Sequence, residues 1–366
     1  MADVIVLAGV AIFSFLINVL STPLIIRISH KWKWYDLPNG RKIHTNPIPR
    51  LGGIGIFISF LVSSLAALLF MTIAGLGTPP VRFDIRHLSV FAAFSLIFFI
   101  GLVDDFRTLK AALKFPLQLV AAVLVTINGF TFANITIPFI GSLSLGVFAY
   151  PFTIFWIVSI TNAMNFVDGV DGFAGGTAGF AAFFLGMIAL IQGRPESALI
   201  AFAILGSVAG FLVFNFPPAR IFMGDSGSLL LGFTLAVIPL LDTTRTRPVG
   251  DLLIPLTLLT IPALDITAAV VRRIRQGRAI YIPDKDHIQH KILALGLKER
   301  TNLGMVYCYC AYLGIACIFM ALLGRGASLV IGVGVWVGNL ALYSALKVAG
   351  ARKKAQGAAE GTEAAQ

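Results

Sequence analysis

Long apolar runs recur along the whole chain, and short polar segments separate them. The runs approach the ~20 residues that an α-helix needs to cross the hydrocarbon core of a bilayer. The pattern predicts an all-α polytopic membrane protein with about eleven transmembrane helices rather than a barrel. The predicted helices cover residues 4–26, 51–76, 88–103, 115–130, 149–164, 172–191, 197–214, 227–241, 252–271, 302–323 and 328–346.

The composition agrees with this class, because 57% of the 366 residues are hydrophobic and only 12% are charged. The first apolar run lacks a preceding basic region and a following cleavage site, so we expect a retained helix rather than a signal peptide. All three cysteines fall in predicted helix 302–323 without metal-type spacing and are expected to pack there. We expect one membrane domain over 1–350 and a disordered cytoplasmic tail over 351–366.

Most of the 28 lysines and arginines lie in the carboxyl-terminal tail and in loops that follow odd-numbered predicted helices. Basic loops are retained on the cytoplasmic side of a membrane, so the amino terminus is predicted outside and the carboxyl terminus inside. This topology, with attraction to anionic lipid and substrate, explains the net charge of +11 without nucleic-acid binding.

Nearly all the acidic residues that stand out fall in or beside the predicted cytoplasmic loops. They are Asp36, Asp104, Asp105, Asp168, Asp171, Asp225, Asp284 and Asp286. A transporter would be expected to place ionisable groups near the bilayer midplane. Clustering at one face favours a reaction between a soluble molecule and one in the membrane. The exception is Asp265, for which a functional role and a buried structural role are about equally expected.

The segment "GLVDDFRTLKAALK" ends the third predicted helix with two adjacent acids, Asp104 and Asp105. Adjacent helical side chains point about 100° apart, so the two acids are expected to face different partners. We interpret one as facing a metal and the other a proton or a cation. The alternative is a helix end whose lysines, Lys110 and Lys114, are solvated partners.

The segment "TNAMNFVDGVDG" places Asn162, Asn165, Asp168 and Asp171 at intervals of three residues. This spacing aligns side chains on one helical face, and glycine lets the backbone approach a ligand. Helix caps and turns would explain one such residue more easily than four. The spacing differs from that of a calcium-binding loop.

The segment "NFPPARIFMGDSGSLLLGF" places Asp225 between glycine and serine at the start of the eighth predicted helix. A carboxylate there can bind Mg²⁺ while nearby backbone amides face phosphate. The alternative is an ordinary N-cap.

Two predicted cytoplasmic loops are basic. The loop 272–300 carries His287 and His290 among lysines and arginines, and phosphate contact is favoured over zinc because no thiolate accompanies them. The loop 36–53 is stiffened by proline. Its candidate anion-binding residues are Arg41, Lys42, His44 and Arg50.

Together these stretches resemble the polyprenyl-phosphate N-acetylhexosamine-1-phosphate transferases, over residues 36–300 and in the same order. The matching motifs are the paired acids with a later lysine, "NxxNFxDGxDG", "FMGDSGS" and "PDxxHxxH". The last resembles the branch that uses a simple UDP-N-acetylhexosamine, although Gln289 stands where that branch commonly has histidine.

The resemblance implies a role for each matched residue. Asp225 would be the main Mg²⁺ ligand with Asn165 second, and Mn²⁺ could substitute. Asp171 would contact the uracil, Asp168 would line the same pocket, Lys114 would meet the pyrophosphate, and Asp104 or Asp105 would orient or deprotonate the lipid phosphate. His287 and His290 would lie near the sugar and phosphates. Asn162 and the basic residues of the first loop, Arg41, Lys42, His44 and Arg50, are the remaining substrate-binding candidates.

The resemblance also implies the reaction. N-acetylglucosamine-1-phosphate would pass from UDP-N-acetylglucosamine to undecaprenyl phosphate in the bacterial inner membrane, with release of UMP, as the first membrane step of envelope polysaccharide synthesis such as O-antigen or teichoic acid. A homodimer and a short external β-hairpin over 135–146 are expected too.

Three alternatives remain. One is the related transfer of phospho-N-acetylmuramoyl-pentapeptide in peptidoglycan synthesis, and another is a transporter of nucleotide sugars. A CDP-alcohol phosphotransferase is disfavoured, because "DGVDGFAGGTAGF" lacks the Ala-Arg pair and the further aspartates of that class.

Overall fold

The computed structural model describes residues 2–36, 47–76, 83–137, 141–241, 252–277, 288–293, 297–323 and 325–363. Within these ranges the chain forms α-helices with two small antiparallel sheets. The helices are α1 Ala2–Trp32, α2 Gly52–Ala74, α3 Ile85–Phe106, α4 Ala111–Thr126, α5 Ala149–Val167, α6 Phe173–Ile191, α7 Pro195–Asn215, α8 Gly224–Val237, α9 Leu253–Leu258, α10 Thr260–Arg275, α11 Ile288–Leu293, α12 Glu299–Leu322 and α13 Arg325–Glu363.

In the described ranges, eight helices are long and apolar enough to cross a membrane: α1, α2, α3, α5, α6, α7, α12 and α13. The prediction of an all-α polytopic membrane protein is therefore confirmed. The predicted fourth and eighth spans are present as shorter apolar helices, α4 and α8.

The predicted span 252–271 is divided into α9 and α10 at Leu259. Pro262 accounts for the division, because its ring would clash with the carbonyl four residues earlier, at Leu258, and it has no N–H to donate there. In the observed arrangement Pro262 lies in the first turn of α10, where proline is tolerated.

The carboxyl-terminal helix α13 continues to Glu363, whereas the sequence predicted a disordered tail from residue 351. The segment is rich in alanine, the residue with the highest helix propensity. That propensity continues the helix beyond the apolar part of α13.

The predicted hairpin over 135–146 is confirmed. Strand β3 (Asn134–Ile137) pairs antiparallel with β4 (Gly141–Ser144). A second pair, β1 (Tyr35–Asp36) with β2 (Ile48–Pro49), was not predicted and joins the two ends of the first loop.

Helix α8 lies at the centre of the bundle, and each of its residues from Ser226 to Val237 is buried. It packs against α2, α3 and α5. Small residues permit the close approach: a Cβ at Gly232 would lie 2.8 Å from the Cα of Thr161. The first residues of α8 are thereby fixed between the ends of three other helices.

Candidate active site

The start of α8 is joined to the start of α2 through backbone contacts. The amide of Gly52 donates to the carbonyl of Phe222, and the amide of Gly53 to that of Met223, both at 2.9 Å. A Cβ at Gly53 would lie 2.3 Å from the backbone nitrogen of Gly227. Only glycine therefore permits this approach of the two helices.

Asp105 binds the first turn of α8 from the neighbouring helix α3. Its Oδ1 accepts a hydrogen bond from the Asp225 amide at 2.8 Å, and its Oδ2 accepts from the amide and the hydroxyl of Ser226 at 3.0 and 2.6 Å. Asp105 is only 6% exposed. It acts as a cap supplied by another helix, and it satisfies amides that have no partner within α8.

Two glycines make room for this cap. Gly101 lies one turn before Asp105 on α3, and a Cβ there would lie 2.5 Å from the Cα of Ser226. Gly224 has a positive φ of 69°. A Cβ on it would lie 2.6 Å from the Asp105 carboxylate and 2.4 Å from the carbonyl oxygen of Arg50.

Lys114 joins the two acids that remain open to the site. Its Nζ lies 3.0 Å from Asp104 Oδ2 and also contacts Asp225 Oδ2 directly. The other oxygen of Asp104 accepts a hydrogen bond from the Leu109 amide. The Lys114 side chain is 15% exposed, that of Asp104 is 11% and that of Asp225 is 32%, so the group reaches solvent mainly through Asp225.

Asn165 of α5 completes this group. Its Nδ2 donates to the Ser228 hydroxyl at 2.8 Å, and Ser228 lies one turn after Asp225 in α8. We call Asp104, Lys114, Asn165 and Asp225 the acidic cluster. Three helices and the start of a fourth supply its members, of which only Asp104 and Lys114, ten residues apart, are close in sequence.

Asn162 lies one turn deeper in α5 and is engaged elsewhere. Its Nδ2 donates to Gln118 Oε1 at 2.7 Å and to the carbonyl of Val158 at 2.8 Å. Gln118 is 1% exposed. This amide pair joins α5 to α4, which carries Lys114.

Asp171 lies in the loop between α5 and α6, where its Oδ2 accepts from the Ala219 amide at 2.8 Å. The next residue, Gly172, donates to Asn215 Oδ1 at 3.0 Å and accepts from the Tyr307 hydroxyl at 2.9 Å. These bonds join the loop to the α7–α8 connection and to α12.

The structure brings together four of the predicted residues as the acidic cluster, with Asp105 directly behind it. Asp168 is the C-cap of α5 and is half-buried. Arg50 is half-buried beside Gly224. The predicted residues outside the described part of the chain are Arg41, Lys42, His44 and His287. His290 belongs to α11, but its side chain is also outside that part.

Gly101, Gln118 and Tyr307 were missed by the sequence analysis. The first two carry a usable signal, since Gly101 is four residues before Asp105 and Gln118 is four residues after Lys114, which places each pair on one helical face. Tyr307 carries none, because its contact with Gly172 spans 135 residues.

The acidic cluster fits a Mg²⁺ or Mn²⁺ ion. Asp104 and Asp225 already share one cation, the Lys114 ammonium, and Asn165 adds an amide oxygen. Hard oxygen donors of this kind suit Mg²⁺, which is usually held by one or two carboxylates with substrate phosphates and water. In the described part of the chain, no group of three or more His, Cys, Asp or Glu side chains could hold a metal ion by itself.

A polytopic membrane protein that gathers carboxylates, an amide and a lysine at one end of its helices has the layout of a membrane enzyme for phosphorylated substrates. Residues 87–242, which include the whole acidic cluster, match the family model described as Glycosyl transferase family 4.

Curated relatives agree with that match. A Bacillus subtilis protein named probable undecaprenyl-phosphate N-acetylglucosaminyl 1-phosphate transferase is 34% identical over 81% of this chain and 80% of its own. The decaprenyl-phosphate N-acetylglucosaminephosphotransferase of Mycobacterium leprae is 32% identical, over 82% and 80%. The undecaprenyl-phosphate alpha-N-acetylglucosaminyl 1-phosphate transferase of Escherichia coli is 30% identical, over 76% and 74%. The chain belongs to the polyprenyl-phosphate N-acetylhexosamine-1-phosphate transferase family.

Proposed function

We propose that this protein transfers N-acetylglucosamine-1-phosphate from UDP-N-acetylglucosamine to undecaprenyl phosphate and releases UMP. The observation that carries the proposal is the acidic cluster, in which Lys114 contacts both Asp104 and Asp225. The names of all three relatives specify N-acetylglucosamine, and two of them specify undecaprenyl phosphate.

Asp225, Asp104 and the Asn165 amide oxygen would hold a Mg²⁺ ion. When bound, the ion neutralises the charge of the donor pyrophosphate. Lys114 exchanges its carboxylate partners for the pyrophosphate oxygens. Because the amides of Asp225 and Ser226 already bond Asp105, we assign phosphate binding to the Lys114 ammonium rather than to those two amides.

The reaction needs positioning more than a strong base. An oxygen of the lipid phosphate attacks the β-phosphorus of the donor and forms a new P–O bond. The bond from that phosphorus to the bridging oxygen breaks, and its electron pair leaves with UMP. A phosphate monoester is already largely ionised at pH 7. Asp104 therefore serves to orient the acceptor and to balance charge.

For Asp105 we propose a role other than the one that the resemblance implies. Both of its oxygens accept hydrogen bonds from the start of α8, and it is buried. We propose that Asp105 positions Asp225 and is not itself a catalytic residue. Asp168 and Asp171 would line the nucleotide pocket, and His287 and His290 would contact the sugar phosphate.

We further propose that the site faces the cytoplasm of a bacterial inner membrane. The distribution of lysine and arginine supports this orientation, and a UDP-sugar is a cytoplasmic solute. The product would be the lipid carrier for an envelope polysaccharide, and the active unit would be a homodimer.

The test uses the purified protein in detergent with undecaprenyl phosphate, Mg²⁺ and a panel of UDP-sugars that includes UDP-N-acetylmuramoyl-pentapeptide. UMP release should require the lipid and be fastest with UDP-N-acetylglucosamine. Asp225→Ala should abolish it, whereas Asp84→Ala, which removes the N-cap at the opposite end of α3, should retain it. Uptake of nucleotide sugar into sealed vesicles without UMP release would contradict the proposal.

A further inference from the structure

A second buried carboxylate lies outside the acidic cluster. Asp265 of α10 is 3% exposed, and its Oδ1 accepts a hydrogen bond of 2.7 Å from the backbone amide of Ile288. Ile288 is the first residue of α11 and is itself 8% exposed. The bond therefore joins two elements that are 23 residues apart in the chain.

Burying a carboxylate costs free energy unless the carboxylate is hydrogen-bonded or paired with a cation. An apolar side chain would fill the same space without that cost. A bond from an amide to an ionised carboxylate is also roughly twice as strong as a neutral one. Asp265 thus has a specific use, which is to fix the backbone position at which α11 begins.

Helix α11 is held on its other side as well. Lys291 is 9% exposed, and its Nζ donates to the Tyr343 hydroxyl at 3.3 Å and lies 5.0 Å from the centre of that ring. Tyr343 belongs to α13. Helix α11 is therefore fixed between α10 and α13 rather than attached only through the chain.

Helix α10 is in turn joined to α5 beside the acidic cluster. Arg273, about two turns after Asp265 in α10, is 3% exposed, and its guanidinium carbon lies 5.5 Å from the centre of the Phe166 ring. Phe166 directly follows Asn165 in α5. Helix α10 thus contacts both α5, next to Asn165, and the first residue of α11.

We propose that Asp265 is a positioning residue that holds α11, and with it His290, at a fixed distance from the acidic cluster. The inference rests on the proposed function, because it assigns to His290 a contact with the donor phosphates. Asp265 itself needs no contact with substrate. Its effect on the reaction is transmitted through the backbone at Ile288.

The first test is structural and does not depend on activity. Asp265→Leu removes the acceptor, whereas Asp265→Asn keeps an oxygen that can accept from Ile288. Hydrogen exchange followed by mass spectrometry should show faster exchange of the α11 amides in Asp265→Leu and near wild-type exchange in Asp265→Asn. Unchanged exchange in the leucine variant would overturn the proposal, even if the protein had no transferase activity.

The second test separates positioning from general loss of stability. Asp265→Leu should lower kcat by about 10- to 100-fold, as expected for a small displacement of a reacting group. Asp265→Asn should restore most of that loss. In a protein that already carries His290→Gln, Asp265→Leu should lower kcat by less than about threefold further. Both substitutions remove the same contribution, that of a correctly placed His290.

A matched control is Ser197→Ala, which removes a buried hydrogen bond of 2.9 Å to the carbonyl of Ile238, remote from α11. The factors by which Ser197→Ala and His290→Gln lower kcat should multiply in the double variant, as expected for independent sites. If the effects of Asp265→Leu and His290→Gln multiply too, the proposal is wrong. Inactivity of the wild-type protein would instead reject the proposed function and leave the exchange result to decide.

Discussion

The Lys114 ammonium contacts the Asp225 carboxylate across 111 residues of sequence, and it reaches Asp104 as well. A metal ion that binds these carboxylates must compete with the ammonium. The same lysine would then become available to the donor pyrophosphate. One side chain would thus neutralise the acids before substrate binds and neutralise phosphate afterwards.

Replacement of Lys114 by methionine should therefore tighten metal binding in the absence of donor while it impairs turnover. Loss of a partly buried ion pair worth about 1 kcal/mol predicts about fivefold tighter Mn²⁺ binding. Electron paramagnetic resonance titration of Mn²⁺ would measure it, and UMP release should fall in parallel. Lys110→Met, at the exposed N-cap position of α4, is the control and should change neither. Weaker Mn²⁺ binding in Lys114→Met would contradict the competition.

Replacement of Asp105 should lower the stability of the folded protein more than replacement of Asp104. Asp105→Ala leaves two amides and one hydroxyl at the start of α8 without their acceptor, and each unsatisfied buried donor costs about 1–3 kcal/mol. Thermal unfolding in detergent should therefore occur at a clearly lower temperature. Asp104→Ala should lower the unfolding temperature less, because the Leu109 amide loses its acceptor but Lys114 keeps Asp225 as a partner, and it should reduce UMP release. Equal destabilisation by both variants would mean that the cap on α8 has been misassigned.

The different roles of Asp104 and Asp105 could be predicted from the sequence only in part. Helical geometry requires Asp104 and Asp105 to diverge, and that much follows from their adjacency. Which of them faces α8 depends on the close packing at Gly101, which involves residues more than a hundred positions later. The spans followed from local hydrophobic patterns and the hairpin from the family resemblance, whereas the pairing of Asn162 with Gln118 depends on how α4 and α5 pack.

Glycine at position 101 should be essential for the geometry of the site. A Cβ there would lie 2.5 Å from the backbone of Asp225 and Ser226, so Gly101→Ala must displace α8 or α3. Overpacking of this kind costs about 1–3 kcal/mol, and kcat should fall because Asp225 moves relative to Lys114. Gly9→Ala in α1 is the matched control, since a Cβ there meets nothing within 4 Å. A Gly101→Ala protein with normal kcat and unfolding temperature would contradict the packing argument.

Asp171 allows the nucleotide pocket to be tested separately from the chemistry. One carboxylate oxygen accepts from the Ala219 amide, and we propose that the carboxylate also contacts the uracil of the donor. Asp171→Asn retains only one acceptor oxygen. If that oxygen stays with Ala219, the unfolding temperature should hardly change, while loss of a hydrogen bond to a charged group should raise the donor KM by about tenfold or more.

The kinetic parameters separate this role from a purely structural one. In Asp171→Asn the kcat should stay within about threefold of wild type, since the lost contact is made equally in the ground and transition states. Asp171→Ala should raise the donor KM similarly and also lower the unfolding temperature, because the Ala219 amide loses its acceptor. Tyr307→Phe, which removes a different bond to the same loop, should lower the unfolding temperature with little change in donor KM. A donor KM that rises equally in Tyr307→Phe and Asp171→Asn would assign the effect to the loop as a whole rather than to the Asp171 carboxylate.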